Sequence, residues 1–379
     1  MRIGLVGCGN VGLSGHLPAL LATDGIAVSA VADPTPERLA AAGQAAGLPE
    51  DACHADWRDL VARPEIDAVV VATPQRVRPG IALAAARAGK HLLCEKPLAI
   101  APADAHRMVE AARQANVTLA TVHNYTQTAV YRALKAALDG GALGALEVAR
   151  LDFLSVEDRP GNPDYAPRWR HDLARSGGGV LMDMLHAVYL AGWFFGGDPV
   201  AVAATVDRRA DDGGDVEDLA LVRYEYPTGH ALVNVAWGLG PGGTTLMGTK
   251  GRAVTVTADF GTHPFVAAER VALVTAGGAR DLPLPPDETS SFVGVARNFR
   301  DAVAAGRAPL ASGEAGAATL EAVVGAYAAA ALGREVALPL DPADPVFVDG
   351  AAGIARLRIS PQNPVWRRGL FGVRQPPGG

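Results

Sequence analysis

Short, nearly continuous apolar runs separated by helix-period stretches dominate the first third of the chain. Ile3–Val6, Ala27–Ala32, Ala68–Ala72, His91–Cys94 and Thr118–Val122 read as strands buried on both faces. Between them, Leu17–Ala22, Pro36–Ala46, Val77–Ala88 and Pro102–Ala115 read as Ala-rich helices, ended by Gly25, Gly47, Gly89 or a polar turn. Strands alternating with helices predict βαβ units on a parallel, doubly wound sheet. From about Tyr125 the pattern changes. A helix over Val130–Asp139 stops at Gly140–Gly141, and longer runs of alternating polarity follow at Glu147–Ser155, Val200–Val206, Leu219–Tyr226, Ala231–Trp237, Arg252–Ala258 and Arg270–Thr275. Such alternation predicts a large, mainly antiparallel open sheet. Gly177–Gly179 opens a helix over Leu181–Phe194, Ser291–Ala305 and Gly313–Leu332 supply two more, and Val336–Leu340 reads as a short strand. Residues 341–379, rich in Pro and Gly, read as an extended tail that wraps a neighbouring subunit or a domain surface. The pattern thus divides the chain at 1–122, 123–340 and 341–379, with no internal repeat.

Composition narrows this picture mainly by exclusion. With 379 residues, 49% of them hydrophobic and 20% charged, the chain is long enough for two cores and is not of disordered composition. The net charge is −6 with the signs interspersed, and no Lys/Arg-rich run can track phosphates, so no nucleic-acid partner is expected. Cys8, Cys53 and Cys94 form no CxxC pair and are odd in number, which argues against a disulfide framework or a thiolate zinc site and suits a reducing, cytoplasmic location. No run of 18 apolar residues and no leader pattern is read, so no membrane association is expected.

The chemistry begins at Gly7-Cys8-Gly9-Asn10-Val11-Gly12, which follows the first strand and opens a helix. In that context Gly7 permits the tight turn, Gly9 lets the backbone approach a pyrophosphate, and Gly12 lets helix and strand pack closely. The free N–H groups of the helix start, around Asn10 and Val11, meet the anion. Asp33 lies 21 residues after Gly12, at the end of the second strand, where a carboxylate accepts hydrogen bonds from ribose hydroxyls and repels a 2′-phosphate. This favours NAD over NADP, although Arg38 one helical turn on suits a 2′-phosphate. The plain alternative is that Asp33 caps the helix after Pro34. The fold class is therefore α/β: an N-terminal Rossmann domain plus a C-terminal α+β domain.

Val71-Ala72-Thr73-Pro74 ends one strand and Cys94-Glu95-Lys96-Pro97-Leu98 the next, both at the carboxyl edge where doubly wound sheets bind ligands. With the glycine loop, His123-Asn124-Tyr125, Gly141-Ala142-Leu143-Gly144, Gly177-Gly178-Gly179 and Gly248-Thr249-Lys250-Gly251, the chain resembles the Gfo/Idh/MocA oxidoreductases from residue 1 to about 340. The resemblance implies NAD-dependent oxidation, or the reverse reduction, of a secondary alcohol on a sugar, aminosugar or cyclitol. It also implies a homodimer or homotetramer associated through the exposed face of the C-terminal sheet.

The resemblance also assigns candidate residues. Lys96 matches the family lysine between nicotinamide and substrate, where an ammonium stabilises the charge developing on the reacting oxygen. Its ordinary pKa near 10.4 would have to fall before it acted as a base near neutrality. Thr73, Pro74, Glu95 and Asn124 join the cofactor set. Asp183 and His186, three apart on the expected helix, share a face and form the second catalytic element, although the family usually spaces this pair by four. Either residue is then a candidate for the reacting oxygen. His123, Tyr125, Trp169 and Arg170 are candidates for the substrate pocket, where an indole stacks on a sugar ring and a guanidinium reads its hydroxyls. A packed turn at Asn124 and a core role for Trp169 are the plain alternatives. Thr126 stands where many relatives carry an arginine. His171, Asp172, Asp183 and His186 lack metal-ligand spacing, so no metal is expected. Two other functions use the same fold: a redox-assisted, NAD-dependent glycosidase with no net cofactor turnover, and a non-catalytic NAD-binding regulatory protein. Retention of Lys96 with Asp183 and His186 argues against the latter.

Overall fold

The computed structural model describes residues 1–154, 168–209, 214–240, 242–256, 270–285 and 290–374. Ser155, Thr257 and Ala258 of the expected strands, and residues 375–379 of the expected tail, lie outside the described residues. Contacts divide the chain into two compact units that interleave in sequence. Residues 1–99, 104–127 and 288–317 form the first, and residues 100–103, 128–287 and 318–379 the second.

In the first unit six strands, β1 (Arg2–Val6), β2 (Ala27–Ala32), β3 (Cys53–His54), β4 (Ala68–Val71), β5 (His91–Cys94) and β6 (Leu119–Thr121), form one parallel sheet in the order β3-β2-β1-β4-β5-β6. The two-residue strand β3 and the helix Trp57–Ala62 that follows it were not expected, since neither is long enough to show a period. Strand order reverses between β1 and β4, which opens a crevice beyond their carboxyl ends, the usual ligand position in such sheets. Ile3, Leu5, Val31, Val70 and Leu93 are at most 1% exposed, and Val295, Ala296 and Phe299 from the distant helix Ser291–Ala305 complete the same core. The β6 edge is covered by residues 311–312: Thr121 N–H donates to the Ala311 carbonyl and Ala120 bridges Ser312.

In the second unit the strands are β7 (Leu146–Leu154), β8 (Ala201–Asp207), β9 (Leu219–Tyr226), β10 (Gly229–Ala236), β11 (Gly243–Gly248), β12 (Gly251–Val256), β13 (Arg270–Thr275), β14 (Gly278–Leu282) and β15 (Val336–Ala337). They form a sheet in the order β14-β13-β12-β11-β7-β10-β9-β8-β15, antiparallel except for the parallel pair β7 and β10. Strands β11 and β14 were not expected; Gly-Thr-Thr-Leu-Met-Gly and Gly-Ala-Arg-Asp-Leu alternate poorly. One face is buried through Ala220, Val222, Tyr224, Ala231, Val233 and Val235, and helix His186–Phe195 packs on β7 and β10, while Leu221, Leu232 and Met247 stay exposed on the other face. Helix Gly313–Leu332 has the length and composition to cross a membrane, and 83% of its apolar window is buried inside the protein, as in a core helix.

Three expectations need correction. The single helix Leu181–Phe194 is two helices, Val180–Asp183 and His186–Phe195, with the chain leaving helical geometry at Met184, whose ψ is 27°. The strand expected over Val336–Leu340 pairs only at Val336 and Ala337, because Pro339 has no N–H to donate to a ladder. Residues 341–374 are not extended but carry the helical turns Pro345–Asp349, Gly350–Arg356, Pro364–Arg367 and Leu370–Gly372, and they belong to the second unit. Asp344 and Asn363 cap two of these turns, accepting from Val346 and Val365 N–H.

Candidate active site

In the first unit the glycines of the opening motif have different jobs. Gly7 has φ +96° and its N–H donates to the Ala32 carbonyl, so the turn after β1 is tied to the end of β2. A Cβ on Gly12 would lie 2.1 Å from the Gly7 carbonyl oxygen, so Gly12 is required by the protein's own packing. A Cβ on Gly9 would meet nothing within 4 Å. Among the described residues no contact demands a glycine there, and the bare backbone lies open to close approach by a ligand. Asn10 and Val11 are exposed at the same turn. The chain then makes a π-helical turn, Gly12–His16, before helix Leu17–Leu21. Asp33 is 6% exposed; one of its oxygens accepts from Cys8 N–H at 2.8 Å and the other from Thr35 N–H at 2.9 Å.

The neighbouring strand ends are joined by buried charge. Glu95, 7% exposed, receives His16 Nε2 at 2.8 Å and the backbone N–H of Lys96 at 3.0 Å. Burial alone would raise the Glu95 pKa, but the bond from His16 and the cations Lys96 and Arg78 hold it below the ordinary carboxylate value. Arg78 donates to the carbonyls of Pro97 and Thr73, clasping the loops after β4 and β5 to each other. Burial lowers its pKa to about 10, opposed by Glu95, and leaves it a cation at neutral pH. Thr73 packs its methyl over Gly7, and its shielded hydroxyl finds no hydrogen-bond partner among the described residues. Pro74 is exposed beside it. Lys96 is half-buried. After β6, burial brings the His123 pKa down to about 3, with Lys96 adding to the effect and Glu95 opposing it, so the ring is neutral. Asn124 donates to Ser291 Oγ at 3.2 Å, which ties its turn to helix Ser291–Ala305, and Tyr125 is half-buried.

In the second unit the glycine run leads into the one-turn helix Val180–Asp183. Its first backbone amides all find acceptors on two side chains and one carbonyl. Glu217 accepts from Gly179 N–H and Leu181 N–H, each at 2.9 Å, its own carbonyl accepts from Val180 N–H, and the Tyr327 hydroxyl accepts from Met182 N–H at 3.1 Å. Tyr327 in turn donates to Glu217 Oε1 at 2.8 Å. A Cβ on Gly178 would strike the Tyr327 hydroxyl at 2.4 Å and one on Gly179 the Glu217 carbonyl at 1.9 Å, which is why this run is glycine. Asp183, at the end of the turn, accepts from Arg170 Nε at 3.2 Å, and the Arg170 guanidinium lies 4.6 Å from the Trp169 ring centre. His186 opens the next helix, buried, with Nδ1 2.7 Å from the Tyr189 hydroxyl, a contact that fixes the ring. The two helical stretches on either side, Leu173–Asp183 and His186–Phe195, are bent by 49°, so Asp183 and His186 do not share a face of one straight helix as expected. Among the described residues no three His, Cys, Asp or Glu side chains gather as a metal site requires.

Comparison with known proteins fits this geometry. Residues 1–123 match the model of the oxidoreductase family with an NAD-binding Rossmann fold, and residues 131–254 match the GFO/IDH/MocA C-terminal domain. The chain is 31% identical over 344 residues to 1,5-anhydro-D-fructose reductase of Ensifer adhaerens, covering 88% of this chain and 97% of that protein. This chain belongs to the GFO/IDH/MocA oxidoreductase family. It is also 31% identical over 234 residues to myo-inositol 2-dehydrogenase of Thermotoga maritima, covering 60% of this chain and 66% of that protein. The aldose-aldose oxidoreductase of Caulobacter crescentus, solved with glycerol, superimposes with a TM-score of 0.79 at 25% identity, covering 89% of this chain and 99% of that one. As a family member the chain is an NAD-binding oxidoreductase acting on CH–OH groups. The open side of Gly9, the partnerless Thr73 hydroxyl and the oriented Asp33 fit the dinucleotide.

The residues that hold this site in place, among them His16, Arg78, Tyr189, Glu217, Ser291 and Tyr327, were not foreseen. Only Arg78 left a usable trace in the sequence, a cation in the first turn of a helix with no acidic residue there, where the helix dipole disfavours it.

Two outcomes follow. Gly9→Ala leaves the thermal midpoint unchanged and weakens NAD by about tenfold or more in a calorimetric titration, whereas Gly12→Ala lowers the midpoint itself. Burial pushes the Glu217 carboxyl up from 4.5 to about 7, against its amide and tyrosine donors. The folded state therefore holds this proton more tightly than the unfolded chain, and the stability it contributes is full below pH 4.5 and lost as pH rises through 7. Urea unfolding at pH 4.5 to 8 should show Glu217→Gln lacking this decline, on the order of 3 kcal/mol.

Proposed function

We propose that this enzyme oxidises, or reversibly reduces, a secondary alcohol on a sugar or cyclitol, with Lys96, His186 and Asp183 handling the proton and the charge on the reacting oxygen. The reading rests above all on the first unit: Lys96 emerges from β5, beside the strand-order reversal, on a loop gripped by Glu95 and Arg78. The names of the relatives support the substrate class, since they act on an anhydrosugar and an inositol. Bound NAD supplies the hydride acceptor. The ammonium of Lys96 hydrogen-bonds the reacting oxygen and stabilises its negative charge. His186, oriented through Nδ1 by Tyr189, is suited to exchange the hydroxyl proton, and Asp183, held by Arg170, orients a substrate hydroxyl. Trp169 offers an aromatic face to a sugar ring, and Arg170 covers part of it.

A screen of sugars and cyclitols for NADH production identifies the substrate, and net NADH accumulation sets a dehydrogenase apart from a redox-assisted glycosidase. On that substrate Lys96→Ala should lower kcat by roughly 10²–10³-fold while NAD affinity stays within a few-fold of wild type. Unchanged turnover would remove Lys96 from the chemistry. For the cofactor, Asp33→Ala should weaken NAD far more than NADP in parallel titrations, and equal losses would exclude Asp33 as the reader of the ribose.

A further inference from the structure

Residues 341–374 fold within the second unit, and one of their buried residues, Phe371, reaches the network that holds the Asp183 turn. Phe371 is 1% exposed and adopts φ 55°, ψ 35°, a left-handed backbone unusual for a bulky side chain. Such a conformation persists where surrounding contacts impose it. Two contacts do so here. The Phe371 N–H donates to the Asp215 carbonyl at 2.7 Å, and its ring packs on Tyr327 with centroids 4.6 Å apart. Asp215 lies two residues before Glu217 and its carboxylate accepts from Leu173 N–H at 2.8 Å, in the turn that leads into the glycine run. Phe371 therefore touches one of the two residues whose side chains satisfy the amides of Gly179, Leu181 and Met182, and the segment that carries the other. Arg368 anchors the same stretch, donating to the Arg208 carbonyl and pairing with Asp207 at 3.3 Å.

We propose that the C-terminal extension is a positioning element for the active site: Phe371, acting through Tyr327 and Glu217, holds the helical turn that ends in Asp183 in its working position. The proposal rests on the reading of Asp183 as catalytic. The contacts converge on the amides of one turn rather than spreading over the sheet, and the two glycines before that turn leave no slack against Tyr327 and Glu217. With Phe371 gone, the Tyr327 ring loses its backing and the turn gains freedom. A displacement of about 1 Å at a reacting group is enough to cost on the order of 100-fold in rate.

The test uses the full-length enzyme. Hydrogen exchange by mass spectrometry on the free protein reads the amides of residues 179–182, with β1 as internal control. Turnover of the sugar or cyclitol found in the NADH screen is measured per NAD-binding site. In Phe371→Ala and in Tyr327→Phe, which keeps the ring and removes only the hydroxyl, exchange at 179–182 should rise about tenfold while β1 is unchanged. In the same variants kcat should fall about tenfold or more, KM should stay within about threefold, and the isotope effect with deuterated substrate should rise, with Phe371→Leu restoring most of both readouts. Should Phe371→Ala not fold, Tyr327→Phe decides alone. Wild-type exchange in the folded variants overturns the proposal, and so does faster exchange with unchanged kcat and isotope effect. Asp183→Asn separates the two layers. If it is inactive while the Phe371 and Tyr327 variants turn over normally, only the positioning role falls. If Asp183→Asn turns over like wild type, the catalytic reading falls and takes the positioning role with it.

Discussion

A carboxylate withdrawn from water must be surrounded by donors, and each unit of this protein builds its functional region around one such group. In the first unit Glu95 accepts from His16 and from the backbone of Lys96, with Arg78 nearby. In the second, Glu217 accepts from two helix-start amides and a tyrosine. Neither carboxylate is read here as reacting. Each holds a glycine- or proline-containing loop in one place, because any movement of the loop strips a buried carboxyl group of its hydrogen-bond partners, at a cost of roughly 1–3 kcal/mol for each. The two solutions differ in sign. Cations around Glu95 keep it ionised, whereas Glu217 has only neutral donors and its proton affinity rises.

Most of the architecture was legible, and the reasons are physical. The short buried strands of the first unit are nearly continuous apolar runs, and the glycine motif sits between a strand and a helix. Strands β9, β10 and β13 alternate cleanly because one face is covered and the other is not. What escaped was short or cooperative. Strand β3 has two residues and carries no period. The break between Asp183 and His186 lies inside an apolar stretch that reads as one helix, since nothing in Met184 or Leu185 signals a stop. Two of the helical turns of the tail are capped by Asp344 and Asn363, in a Pro- and Gly-rich stretch whose composition suggests extension.

The candidate site was legible in its motifs and hidden in its supports. Glycines and the Glu-Lys-Pro segment stand together in sequence, whereas the groups that hold them come from far away. Tyr327 meets Met182 across 145 residues and Glu95 meets His16 across 79. The nearly all-apolar sequence of helix Gly313–Leu332 marks Tyr327 as core but cannot show that its hydroxyl satisfies a helix amide. Likewise, the amphipathic pattern of helix Ser291–Ala305 marks a buried face without saying which core receives it. Phe292 in fact lies edge-on to His16, with ring centroids 4.9 Å apart, so this late helix helps to seat the residue that bonds Glu95.

Asp33 shows how a local turn can leave a carboxylate available to a ligand. Its bond to Thr35 N–H closes a local turn ahead of helix Pro36–Ala46; the helix cap that the sequence offered as the alternative is not formed, since the N-cap is Thr35 and no side chain caps it. Its other oxygen accepts from Cys8 N–H, inside the glycine turn itself. A carboxylate oxygen has two lone-pair directions, so one backbone donor on each leaves acceptor capacity on both. The turn therefore leaves both oxygens able to accept from a further hydroxyl, and together the two amides fix the plane of the carboxylate relative to the glycine turn. The same rigidity bears on discrimination against a 2′-phosphate. A carboxylate free to rotate would swing away from a second anion and lose selectivity, whereas one anchored at both oxygens would keep its charge in place against it.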